Sequence, residues 1–142
     1  MSRFAINSMK MSKDLEKLGI VTRKSLILKP PIIDEKYYLP FILGYFDGDG
    51  SICKLKQYNN YEWSIQGTKE MLNWINSVLQ LDCKLRQRNP NSNLNNYYIS
   101  IGGTNKIYNI LYKLYNSCNI HLERKYLIYK ELETVVLKRN FK

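Results

Sequence analysis

Phe41-Ile42-Leu43-Gly44-Tyr45-Phe46-Asp47-Gly48-Asp49-Gly50-Ser51-Ile52 is an apolar run that ends in two aspartates, each followed by glycine, and passes into a β-prone segment. Helical spacing divides it into two apolar stripes, Leu39, Ile42, Leu43 and Phe46 on one side, Phe41, Gly44, Tyr45 and Gly48 on the other. A helix lying on a sheet needs only one such stripe. The second has glycines four residues apart, which lets another backbone come close. The pattern predicts a helix packed against its own sheet and against a like helix. Two Asp49 carboxylates would then meet near a symmetry axis, where they repel unless a cation lies between them.

Two simpler readings compete. Asp-Gly pairs are common turn signals. Asp47 to Ile52 also has the look of a calcium loop, but that register needs an acid at position 45 and a bidentate glutamate at position 56. Tyr45 and Lys56 stand there, which excludes it.

Outward from the run, the elements alternate. Upstream, Phe4 to Ile6 reads as a short strand, and Ser8 caps a helix with Met11, Leu15 and Leu18 on one face, ended by Gly19. Pro30 and Pro31 mark a connector. The motif helix is predicted from Glu35 to Asp47, with Asp34 as candidate cap and Pro40 restarting or kinking it. Downstream, strands at 51–57 and 62–66 flank Tyr58-Asn59-Asn60-Tyr61. Thr68 caps a helix carrying Met71, Leu72, Ile75, Val78 and Leu79. Strands at 83–88 and 97–101 enclose a polar loop, Thr104 opens a helix, and a last helix covers 122–137. This order predicts an α+β fold with a four-stranded antiparallel sheet backed by helices. Residues 31–142 form the unit; residues 1–30 read as a strand-helix segment, a candidate tail of a preceding unit. An internal repeat supports that division: Lys10, Leu15, Lys17 and Leu18 recur at an offset of 96 as Lys106, Leu111, Lys113 and Leu114. Arg23-Lys24 and Arg124-Lys125 follow the two copies.

The 142 residues carry 22 Lys and Arg against 12 Asp and Glu, a net charge of +10, which suits a polyanionic partner. Three scattered cysteines without CxxC spacing argue against disulfides or zinc and read as buried thiols in a reducing compartment. One histidine leaves no convincing triad for nucleophilic hydrolysis. No signal-peptide pattern or membrane span is present, which predicts a cytosolic or organelle-matrix protein.

Ile42 to Gly50, with Gly44, Asp47, Gly48, Asp49 and Gly50 in place, resembles the signature of the LAGLIDADG homing endonucleases. The resemblance extends over about residues 31–137, including the order of elements. It implies that the motif helices join two units whose saddle-shaped sheets lie in the major groove of double-stranded DNA. It implies that Asp49 and the carbonyl of Gly48 hold Mg²⁺ (or Mn²⁺) at the scissile phosphate, that Asp47 is structural, and that Gln66 belongs to a water network. Such a metal polarises the phosphate and lowers the pKa of an attacking water. This sequence departs from the pattern in having Lys69 then Glu70 where one basic residue is usual. It also has Ile101-Gly102-Gly103 in place of a fourth-strand lysine, with Lys106 the nearest substitute.

Ser64 and Gln66 share a strand face opposite Trp63 and Ile65, predicted to meet DNA. Lys84, Arg86 and Arg88 share one face of their strand, as Lys54 and Lys56 do of theirs, and all five are expected to contact phosphates or bases. The family's register puts residues 53 and 55 on the DNA side instead; a bulge would reconcile the two. The leading expectation is a metal-dependent, site-specific DNA endonuclease acting as a homodimer or with a second LAGLIDADG half. The alternatives are a non-cleaving regulator that binds DNA, a maturase that binds intron RNA, and a purely structural half.

Overall fold

The computed structural model describes residues 8–17, 26–55, 60–91 and 94–140, with side chains to Lys138. Helix α1 spans Met9–Lys17, and Ser8 caps it as expected, its Oγ accepting from the Met11 amide at 3.2 Å. Among the described residues none of α1 is buried: Leu15 is half-buried and Met11 exposed. The expected strand at 4–6, and Leu18, Gly19 and Arg23-Lys24, lie outside the described residues.

The motif helix begins with a single 3₁₀ turn, Glu35–Tyr37, and continues as α2, Tyr38–Asp49. Asp34 makes no side-chain cap there. Pro40 falls in the first turn of α2, where its missing N–H has no intrahelical acceptor to lose. The helix runs two residues past the predicted end. It stops at Gly50, where a Cβ would stand 2.1 Å from Cδ2 of Phe46. Only glycine allows the chain to turn so tightly over that ring.

Strands β1 (Gly50–Leu55) and β2 (Asn60–Gly67) pair antiparallel, from Gly50 opposite Ile65 to Leu55 opposite Asn60 without a bulge. Helix α3, Lys69–Leu79, follows, capped by Thr68, whose Oγ1 accepts from the Met71 amide and donates to the Leu28 carbonyl at 2.5 Å. Strand β3 is only Arg86–Gln87, shorter than the predicted 83–88. At its N-terminal end the competitor is Asn76 on α3. Its side chain donates to the Cys83 carbonyl at 2.9 Å and accepts from the Cys83 amide at 3.2 Å, taking both groups from the ladder. Strand β4 is Tyr97–Gly102, giving a four-stranded antiparallel sheet in the order β1-β2-β4-β3. Helices α4 (Thr104–Tyr115) and α5 (Glu123–Asn140) complete the fold. Thr104 opens α4 as expected, with Gly103, at φ 107°, in the cap position before it.

The core lies between one sheet face and the helices. Ile42, Leu43 and Phe46 from α2 meet Trp63 and Ile65, with the Phe46 and Trp63 rings stacked at 5.5 Å. Burying four or five such side chains contributes ~1.5–3 kcal/mol each before the entropy of ordering them. Ile107, Leu111 and Leu114 of α4 are buried, whereas no residue of the matching helix α1 is. The cysteines are free, but Cys53 is exposed and the other two half-buried, correcting the expectation of buried thiols. No helix of the described residues is long and apolar enough to cross a membrane.

Candidate functional site

The opposite sheet face is open. Along β1 and β2, buried Ile52, Tyr61, Trp63 and Ile65 alternate with accessible Ser51, Cys53, Glu62, Ser64 and Gln66. Strand pairing extends this face through Gln66 and Tyr98 to Arg86. The uninterrupted β1–β2 register decides which β1 residues belong to it. Cys53 and Leu55 do. Lys54 does not: it lies on the helix side, where its ammonium pairs with Glu131 of α5 at 2.7 Å, 5.8 Å from the Tyr61 ring centre. The expectation that Lys54 faces the groove is corrected, because a period of two admits no exchange of faces without a bulge. Lys56 lies outside the described residues.

Where the open face meets the foot of α2, a cleft of about 630 Å³ is lined by Gly48, Asp49, Gly50, Ser51, Ser64, Ile65, Gln66, Arg88 and Tyr98. The structure therefore brings Gly48, Asp49, Ser64, Gln66 and Arg88 together. Asp49 ends α2, and no hydrogen bond or ion pair engages its exposed carboxylate among the described residues. Arg88 reaches across from the β3 hairpin, Nη1 donating to Oε1 of Gln66 at 2.5 Å. Lys84 and Arg86 are exposed, alternating with half-buried Cys83, Leu85 and Gln87. Lys69 is exposed at the start of α3, its amide donating to Asn95 Oδ1, and it does not line the cleft. Lys106 is elsewhere: it lines a second cleft of about 500 Å³ with Gly102, Asp82 and Lys113, so it does not stand in for a fourth-strand lysine beside Asp49.

On the second stripe of α2, a Cβ at Gly44 or Gly48 would meet nothing within 4 Å. Phe41 and Tyr45 are less free than the stripe suggested. Phe41 packs edge-on to Trp74 at 5.8 Å, and the Tyr45 hydroxyl donates to the Gln66 carbonyl at 3.0 Å. Burial, and then the Asp49 charge, push the Tyr45 phenol up to about 12. Gly67 makes this possible, since a Cβ there would lie 2.3 Å from the hydroxyl.

Sequence reasoning missed Lys125. Its side chain is buried, 1% exposed, and its ammonium donates to the carbonyls of Phe46 at 2.5 Å, Gly50 at 2.6 Å and Asp47 at 3.2 Å. These carbonyls end α2, where the helix dipole is negative. Burial lowers the Lys125 pKa, Arg124 lowers it further, and Asp47 and Asp49 oppose them. Asp47 is tied down too, Oδ2 accepting from the Leu122 amide at 2.7 Å. The turn that presents Gly48 and Asp49 is thus held by α5 and the loop before it. The Arg-Lys pair after each repeat was the only signal. Tyr98, which lines the cleft opposite Gln66, carried none.

Four antiparallel strands with one open polar face, and a helix delivering an unpaired aspartate to the edge of that face, constitute the LAGLIDADG homing-endonuclease fold. The chain is similar to the group I intron-encoded homing endonuclease I-CeuI complexed with DNA, at 16% identity and a TM-score of 0.56, over 92% of this chain and 65% of that one. It is similar to the archaeal intron-encoded homing endonuclease I-Vdi141I complexed with DNA, at 17% and 0.55, over 77% and 75%. It also matches the LAGLIDADG homing endonuclease I-SmaMI bound to cleaved DNA, at 14% and 0.51, over 81% of this chain but 41% of that one. The likeness is one of fold. Neither a protein-family model nor a curated protein matches the sequence.

Proposed function

We propose that this chain is one half of a divalent-metal-dependent endonuclease that cuts double-stranded DNA at a specific site. The observation that carries the reading is Asp49: an exposed carboxylate without a partner among the described residues, fixed at the end of α2 and opening on a cleft with Gln66 and Arg88. The donor chemistry fits Mg²⁺ or Mn²⁺, since the Asp49 carboxylate and the Gly48 carbonyl are hard oxygens. No group of three acidic, histidine or cysteine side chains among the described residues could hold an ion alone. Phosphate oxygens, water and the acid of a second unit would complete the set. The metal, when bound, supplies Lewis acidity at the phosphate and a more acidic water. Gln66 and Ser64 orient the attacking water, and Arg88 places a cation beside the phosphate as its charge rises. The P–O bond to one deoxyribose oxygen breaks as the water oxygen bonds to phosphorus; the water gives up a proton to solvent and the leaving oxygen takes one to become a hydroxyl. The open face, with Arg86, Arg88 and Lys84, makes the DNA contacts.

Cutting both strands calls for a second acid, and the open stripe at Gly44 and Gly48 accommodates a second α2. A homodimer or a separate LAGLIDADG half supplies it. One observation favours binding without cleavage: Arg88, the one cation among the described residues lining the Asp49 cleft, is bonded to Gln66. Asp49→Asn decides between the two. Cleavage of a duplex selected by the protein should disappear while its affinity in Ca²⁺ persists. Undiminished cutting by Asp49→Asn removes the assignment, and no cutting by the native chain in Mg²⁺ or Mn²⁺ establishes the binding-only reading.

A further inference from the structure

The open face is neutral along its centre, where Ser51, Cys53, Ser64 and Ser100 stand, and its cations are grouped at the β3 edge. Glu62 breaks that pattern. Among the described strand residues it is the one carboxylate on this face, and its neighbours across the sheet are Cys53 in β1 and Gly102 in β4. It therefore sits on a central strand, at the last pair that β2 makes with β4. No cation pairs with it among the described residues. Ser100 Oγ donates to Oε1 at 2.6 Å, a diagonal cross-strand bond that holds the carboxylate in place.

A lone carboxylate on a surface offered to a polyanion is unfavourable unless a hydrogen-bond donor meets it. Phosphate oxygens only accept, as do O6 and N7 of guanine. The exocyclic amines of cytosine and adenine donate into the major groove. Adenine's stands beside the N7 acceptor, which repels a carboxylate, so a glutamate pairs with the amine of cytosine. We propose that Glu62 reads a cytosine through that amine, with Ser100 as the positioning residue that fixes its rotamer. The inference rests on the DNA-binding reading above and adds a specificity-determining residue to it. Glu62 precedes Gln66 by four residues, ~13 Å along the strand. With β2 along the groove, the cytosine lies about four base-pair steps outward from the cleft.

The test uses the full chain in Ca²⁺, a duplex selected from a randomised pool, and the set of its single base-pair variants. At one position in each half-site, native protein should prefer C·G by about 5- to 150-fold. Glu62→Gln should lose that preference and move toward adenine, whose N6 and N7 suit an amide. Ser100→Ala should weaken discrimination at the same position and nowhere else. If Glu62→Gln disturbs folding, Ser100→Ala alone carries the comparison. A discrimination profile unchanged in both variants, or a uniform loss at all positions, overturns the inference and leaves the cleavage reading standing. A folded native chain that selects no duplex sequence overturns both.

Discussion

Replacing Lys125 by methionine should cost this fold about a third of an ordinary domain's stability. The substitution keeps an unbranched stem of similar length and removes only the ammonium. Three carbonyls, of Phe46, Asp47 and Gly50, lose their donor at once. A hydrogen bond to a charged group contributes ~1.5–3 kcal/mol, so the gross loss is roughly 4–9 kcal/mol. Relief of the buried charge offsets several kcal/mol of this. The net loss should be ~3 kcal/mol, near the lower end of what breaking a buried ion contact costs. With a urea m-value of ~1.5 kcal/mol/M for a domain of this size, the midpoint should fall by ~2 M. Equilibrium unfolding followed by tryptophan fluorescence measures it, since Trp63 stacks on Phe46 beside the lysine. A shift below ~0.3 M means that the ammonium is not holding the end of α2. The sign with pH is also set. Burial lowers the pKa of folded Lys125 below its ordinary 10.5. Just below pH 10.5 the unfolded chain therefore binds more protons than the folded one, and this group's contribution rises with pH. The margin of native protein over the variant should widen as pH climbs toward 10.5; a narrowing margin refutes the burial argument.

Gly67→Ala should destabilise by ~1–3 kcal/mol, because its Cβ would strike the Tyr45 hydroxyl. Tyr45→Phe in the same chain should recover part of the loss; strict additivity in thermal unfolding would show that the two do not touch. Arg86→Ala should flatten the slope of log K against log salt for DNA binding by about 0.9 if it meets a phosphate, while Lys54→Ala leaves it unchanged. Equal slopes for the two variants would reverse their assignment to opposite faces. Gly44→Leu should block close approach of a second α2 and convert a DNA-bound dimer into monomers by light scattering. A native chain that stays monomeric on a palindromic duplex refutes homodimerisation and leaves a distinct partner half.

Much of this protein was legible in sequence because its signals are local. The stripe of Ile42, Leu43 and Phe46 follows from a 3.6-residue period, and Thr68 could be named as a cap because capping needs only an oxygen three residues before an amide. The alternation of Ser64 and Gln66 with Trp63 and Ile65 likewise required nothing beyond the strand's period of two. The α+β class and four-stranded sheet came from the order of such elements. Asp49, Gly48 and Gln66 were picked out by the family resemblance, and the structure places them around one cleft.

What tertiary structure decided involves partners distant in the chain. Periodicity grouped Lys54 with Lys56 but could not say which face of β1 looks at the helices; register with β2 and the pull of Glu131, 77 residues away, settled Lys54. The N-terminal reach of β3 depended on Asn76 competing for the Cys83 backbone, a choice no propensity encodes. Lys125 reads in sequence as one more exposed cation on the last helix. Only the packing of α5 against the foot of α2 buries it and makes it the donor for three carbonyls, because a helix end gains its partner from whichever element lies closest in space.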